Sequence, residues 1–225
     1  MRSWDSPHPS KLPQCQPNCA GYQKHSIYEY RFSTPQAIFT SSGGNRALEI
    51  EGQFQALQME QWSSVTGGAP RGLLAAQYAM VLMLEDPSGK TIQFVIFIYD
   101  SNPITGSANE GLLLEIIGAG NNGYFVNSSF KKGRPMLYTT VDANSNAFSN
   151  TTWAGFRPMK LRITPQNLAN VIRDLNARGG SLSTNVWGYK IRHFGVNTEI
   201  YSEDNGDAWV FGTSMRNLKV KEVEP

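Results

Sequence analysis

From about residue 25 onward, apolar and polar positions alternate along the chain. In Ala47 to Leu57, Leu48, Ile50, Gly52, Phe54 and Ala56 fall on one side, and Glu49, Glu51, Gln53 and Gln55 on the other. That is the period-two pattern of a strand half-buried on a core. His25 to Ser33 alternates as well, with Tyr28, Tyr30 and Phe32 on one face. Leu74 to Leu84 and Ile92 to Tyr99 are nearly continuously apolar, as in strands covered on both faces. Between them, residues 85–90 carry the Pro and Gly of a hairpin turn. Further strands are predicted at Gly111 to Ile117, Tyr124 to Phe130, Met136 to Val141, Phe156 to Ile163, Tyr189 to Tyr201 and Ala208 to Val223. Regular spacing through Gly-rich and Asn-rich connectors favours a sandwich or barrel over β-α-β units.

One segment has the other period. Thr164 can cap, Pro165 suits the first helical position, and Leu168, Val171, Ile172 and Leu175 recur at helical spacing before Gly179 and Gly180. This predicts a short amphipathic helix near residues 165–178, laid across an open edge or end of the sandwich. Residues 1–24 carry four prolines and no periodicity, and read as an irregular arm before a single β-sandwich domain over residues 25–225. The predicted class is all-β, a two-sheet antiparallel sandwich of the jelly-roll kind.

Composition narrows the partners. The chain is 40% hydrophobic but only 17% charged, with 20 basic against 18 acidic residues and a net charge of +2. No basic run exceeds Lys131-Lys132, so the clustered footprint of a nucleic-acid binder is missing. Apolar runs such as Phe94 to Tyr99 are strand-length, well below the ~20 residues of a spanning helix. A surface rich in Asn, Ser, Thr and Gly suits hydroxyl-rich partners. Cys15 and Cys19 are spaced to close a small disulfide loop in an oxidising compartment, or to remain free thiols. No apolar signal region follows Met1, so the expected location is cytoplasmic or, with a leader removed, secreted or cell-surface.

The C-terminal stretch Phe211-Gly212-Thr213-Ser214-Met215-Arg216-Asn217-Leu218-Lys219-Val220 resembles the closing strand of jelly-roll and concanavalin A-like modules. There such a stretch completes a sheet beside the N-terminal strand. The resemblance covers roughly the last tenth of the chain. It implies a sandwich of a kind used for binding carbohydrate and sometimes for cleaving it, and it carries over no specific residue.

Several constellations could bear chemistry. Glu203, Asp204, Asn205 and Asp207, around Gly206, offer oxygen ligands for a structural Ca²⁺, or simply a solvated hairpin turn. Asp142 to Asn146 is a second loop of that type. Trp153, Trp187 and Trp209 each follow a polar connector, where an exposed indole stacks on a sugar ring, unless these are strand-end tryptophans turned inward. Trp62 shares the ambiguity. Tyr189, Arg192 and His193 form a set that fits proton transfer on an acidic sugar, unless His193 is simply a strand histidine packed among apolar neighbours. Alternation would put Tyr189, Ile191 and His193 on one face and Lys190 with Arg192 on the other. Glu49, Glu51, Glu110, Glu115 and Glu199 fall on strands or their ends and could pair as glycosidase carboxylates. No nucleophile elbow, metalloprotease, phosphate-loop or dinucleotide motif is present.

The leading expectation is therefore a carbohydrate-binding module that needs no cofactor, with glycan contacts at Trp153, Trp187 and Trp209. A lyase or glycoside hydrolase on the same scaffold comes second, and a structural or adhesion protein third.

Overall fold

The alternation does build strands. The computed structural model describes residues 2–5, 22–40, 46–63, 74–101, 111–117, 121–130, 137–146, 148–149, 151–202 and 207–224. Its strands are β1 (Arg2–Asp5), β2 (Tyr22–Ala37), β3 (Ala47–Ser63), β4 (Leu74–Glu85), β5 (Thr91–Asp100), β6 (Gly111–Ile117), β7 (Asn121–Ser129), β8 (Thr140–Val141), β9 (Trp153–Ile163), β10 (Lys190–Ser202) and β11 (Asp207–Val223). They form a seven-stranded sheet, ordered β1-β2-β10-β4-β5-β7-β6, and a four-stranded sheet, ordered β11-β3-β9-β8. The protein is a two-sheet β-sandwich. All pairings are antiparallel except β5 with β7.

The core lies between the sheets. From β3 it takes Leu48, Ile50 and Phe54; from β4, Tyr78, Met80, Leu82 and Leu84; from β5, Ile92, Phe94 and Ile96, all essentially without solvent exposure. Opposite positions on β4 and β5, such as Val81, Met83, Gln93 and Val95, remain half-exposed. The continuous apolar runs of these strands had suggested cover on both faces, but over most of their length a layer packs on one face only. Both faces become buried at Phe97 to Asp100 of β5 and at Tyr78 to Met80 of β4.

The predicted strand at Met136 to Val141 is reduced to Thr140–Val141. Leu137 is tied to the helix instead, its carbonyl accepting from the side-chain amides of Asn167 (2.9 Å) and Asn170 (3.1 Å). That helix, α1 (Pro165–Ala177), starts with a capping box in which Thr164 Oγ1 accepts from the Asn167 N–H and Asn167 Oδ1 from the Thr164 N–H. It stops in a Schellman arrangement: the Gly180 N–H bonds the Leu175 carbonyl, the Gly179 N–H bonds that of Asn176, and Gly179 sits at φ +96°. Leu168, Val171, Ile172 and Leu175 are buried in the common core. Packed against β6 and β9, α1 joins the two sheets at one end.

The closing strand β11 does complete a sheet, but beside β3 rather than the first strand. β3 is thus paired along both edges. Its Gly52 faces the core beneath the ring of Phe54, and a Cβ there would fall 2.7 Å from Phe54 Cζ. Since Phe54 is fully buried, it has no free space to move into. Gly52→Ala should therefore cost about 1–3 kcal/mol of stability in denaturant unfolding, and an unchanged midpoint would show that the core relaxes there.

Candidate functional site

Outward-facing positions of β3 carry carboxylates, and the register places cations beside them from both neighbours. Glu49 pairs across β9 with Arg162 and across β11 with Lys221; Glu51 pairs likewise with Lys160 and Lys219. The side chains meet. Arg162 reaches Glu49 at 2.9 Å, Lys221 at 3.3 Å and Lys160 at 3.6 Å. Glu51 takes Lys160 at 3.1 Å and Lys219 at 3.2 Å. Burial pushes the Glu49 carboxyl up, but hydrogen bonds from Arg162 and Lys221 and the field of Lys160 outweigh it, so its pKa lies below the ordinary value. For Glu51, hydrogen bonds from Lys160 and Lys219 dominate and bring the pKa down to about 2.

Glu51 lies in the floor of a cleft of roughly 570 Å³, shared with Gln53 of β3 and Pro158, Met159 and Lys160 of β9. One wall is the turn after β8. The Asn144 N–H bonds Asp142 Oδ1 at 2.8 Å and the Ser145 N–H bonds the Asp142 carbonyl at 3.0 Å. Ser145 Oγ accepts from the Lys160 N–H at 2.8 Å, fastening the turn to β9. The other wall is β11 at a bulge, where its register on β3 slips between Arg216 and Lys219. Within that bulge Asn217 sits at φ +55°, a left-handed conformation that Asn tolerates better than most residues. Arg216 holds Gln53 through an Nε to Oε1 hydrogen bond of 2.6 Å and lies 4.1 Å over the ring of Phe156. Asp142, Asn144, Ser145, Gln53, Asn217, Lys160 and Lys219 thus converge on one polar cleft. Its carboxylates, amides, hydroxyl and ammonium groups can both donate to and accept from a polar ligand.

Of the three tryptophans, Trp153 is placed differently from the expectation of an exposed indole. Trp153 opens β9 and is only 5% exposed. Its indole N–H donates to the Phe54 carbonyl at 3.0 Å and the Arg157 guanidinium lies 4.7 Å over its ring. It presents no open face to a sugar. Trp187 is half-buried and meets Phe39 edge to face at 5.5 Å. The side chain of Trp209, like that of Trp62, lies outside the described residues.

The proposed proton-transfer set is dispersed. The registers of β10 on β2 and on β4 both slip between Ile191 and His193. Ile191 pairs with Leu84 and Phe194 with Leu82, both core positions, so His193, opposite Met83, faces away from the core. A β-bulge has turned it from the face shared by Tyr189 and Ile191. Tyr189 is fully buried, its hydroxyl donating to the Ser183 carbonyl at 2.8 Å. Arg192 is exposed and ion-pairs with Glu85. His193 Nε2 lies 3.6 Å from Glu29. Burial lowers the His193 pKa; Glu29 works against this, while Arg31 and Arg192 add to it.

Glu203, Asp204 and Asn205 lie outside the described residues, as does the side chain of Asp207. Among the described residues no group of three or more His, Cys, Asp or Glu side chains is arranged to hold a metal ion. No described helix is long and apolar enough to cross a membrane. Lys160, Asn217 and Lys219 were not singled out from the sequence. The signal that could have found them is alternating charge: Glu49 and Glu51 on β3, Lys160 and Arg162 on β9, Lys219 and Lys221 on β11. No protein-family model and no curated protein matches this chain.

The folded pKa of Glu51, about 2, is below its ordinary 4.5, so the unfolded chain binds more protons between those two values. The stability that Glu51 contributes is complete above about pH 4.5 and is lost as the pH falls towards 2. Denaturant midpoints should drop through that window. In Glu51→Gln the drop should be shallower, with Glu49, Asp86, Asp174 and Glu222, whose carboxyl pKa values are also lowered, supplying what remains; an identical pH profile in the variant would show that the lysine pairs contribute nothing.

Proposed function

We propose that this protein binds carbohydrate, and that the site is the polar cleft between the turn after β8 and the bulge of β11. The observation that carries the reading is the lining itself. Gln53, Asn144 and Asn217 bring neutral amides, and the charged groups are already paired across strands. A sugar hydroxyl both donates and accepts, and amides answer both needs. Pro158 and the methylene stems of Lys160 and Lys219 give the C–H face of a ring somewhere apolar to rest. The volume falls within the about 300–1,000 Å³ common for small-ligand sites. The resemblance of the closing strand to carbohydrate-binding sandwiches supports the same reading, and a glycan ligand suits a place outside the cell or on its surface.

Cleavage is the second reading. A glycosidase needs one carboxylic acid to protonate the leaving oxygen. Glu51, held ionised by two lysines, is unfit for that part, which leaves Asp142 as the remaining carboxylate of the lining. Binding is the better supported of the two.

A glycan array should reveal weak binding, with dissociation constants from about micromolar to millimolar. Asn144→Ala and Gln53→Ala should each weaken it about tenfold, or ~1.4 kcal/mol, while Trp187→Ala should not. Binding that survives both cleft variants would place the site elsewhere. Silence across a broad array would favour the structural or adhesion reading, and product formation would promote the enzyme.

A further inference from the structure

Glu51 is the only member of the cleft that touches cations from both neighbouring strands: Lys160 of β9 at 3.1 Å and Lys219 of β11 at 3.2 Å. Both cations also line the cleft, together with one further carboxylate, Asp142. The lining therefore holds two ammonium groups and two carboxylates, and is neutral overall. The cations of the next row are committed as well: Arg162 and Lys221 are engaged by Glu49 at 2.9 and 3.3 Å, and each also reaches a carboxylate of the lining, Arg162 at 3.6 Å from Asp142 and Lys221 at 3.6 Å from Glu51.

We infer that Glu51 is a specificity-determining residue: by holding Lys160 and Lys219 it makes the cleft select neutral sugars and reject those bearing carboxylates. The inference rests on the carbohydrate reading and narrows it to a class. A uronate entering the cleft would shed water from its carboxylate without gaining an uncommitted cation, and would approach Glu51 and Asp142 at close range. Removing charged groups from water without a partner is costly, and like charges brought together add to that cost. A neutral hexose meets no such barrier. Its hydroxyls can take the remaining ammonium protons, since each lysine carries three and the pairs with Glu51 do not use them all. The low pKa of Glu51 agrees with this role, because it keeps the counter-charge in place at every pH the protein is expected to meet.

The test compares neutral oligosaccharides with their C6-oxidised counterparts on the intact chain. Suitable pairs are β-1,4-linked mannohexaose against hexamannuronate, with the corresponding glucose and galactose pairs, measured by calorimetry at low salt. The expected result is that at least one neutral member binds and that its uronate binds at least about tenfold more weakly. Glu51→Gln, which keeps the side-chain shape, should raise uronate affinity about tenfold by leaving two lysines without their counter-charge. Glu51→Gln combined with Lys219→Gln should restore the neutral preference. Circular dichroism establishes that each variant is folded, and the wild-type comparison needs no variant. If the wild type binds a uronate as well as or better than its neutral partner, this inference falls while the carbohydrate reading stands. If the folded Glu51→Gln variant keeps the wild-type preference, Glu51 is not the determinant. If none of the six oligosaccharides binds, the carbohydrate reading and the inference fall together.

Discussion

The side chain of Glu49 keeps only 4% of its surface exposed, and it stays ionised there because Arg162, Lys160 and Lys221 reach it from the two strands that flank β3. A carboxylate so placed constrains everything around it. Taking away its partners would leave a charge nearly out of water, an outcome costing several kcal/mol where such pairs have been broken. Sliding β9 or β11 by one residue along β3 would do the same, because each side chain would turn to the opposite face. The ion pairs and the core therefore demand one register: with Glu49 opposite Arg162 and Lys221, Ile50 lies opposite Leu161 and Val220.

That register also makes the cleft. Glu51 lies one step further along the same face, and its lysines come from the same two strands. Beyond it the pairing loosens on both sides, with the β11 bulge at Asn217 and the β8–β9 connection passing through the turn at Asp142. A floor held by ion pairs and walls built from two interruptions of the ladder produce a recess on what would otherwise be a flat outer face. On the outer face of the opposite sheet, Glu29 draws both Arg31 and His193.

Local patterns carried most of the architecture. The alternation of β3 and the punctuation of α1, from Thr164 and Pro165 to Gly179 and Gly180, depend on near neighbours and were legible as they stood. Departures arose where a distant partner decided the outcome. The face of His193 was misread because a one-residue bulge reverses alternation without leaving a mark such as Gly or Pro. Trp153 looked like a loop tryptophan because its polar neighbours are local, whereas the carbonyl that holds its indole N–H comes from Phe54 and a ring packed against it from Tyr99, both distant in sequence. The segment before β8 has strand composition but is held by Asn167 and Asn170, some thirty residues away in sequence. The cleft was half visible. Glu51 and the Asp142–Asn146 loop stood out as carboxylate and oxygen donors, but their union with Lys160, Asn217 and Lys219 requires the pairing of three strands that sequence alone does not register.

The central claim is that a neutral glycan is received on the outer face of the four-stranded sheet. The most direct measurement is a backbone amide chemical-shift titration of the isotope-labelled chain with the best neutral oligosaccharide from the array. The account predicts that the largest changes cluster at Gln53, Asn144, Ser145, Lys160, Asn217 and Lys219, while His193 and Trp187 stay near their free positions. Changes centred instead on Trp187, Trp209 or the His193 face of the seven-stranded sheet, with the cleft residues unmoved, would contradict it.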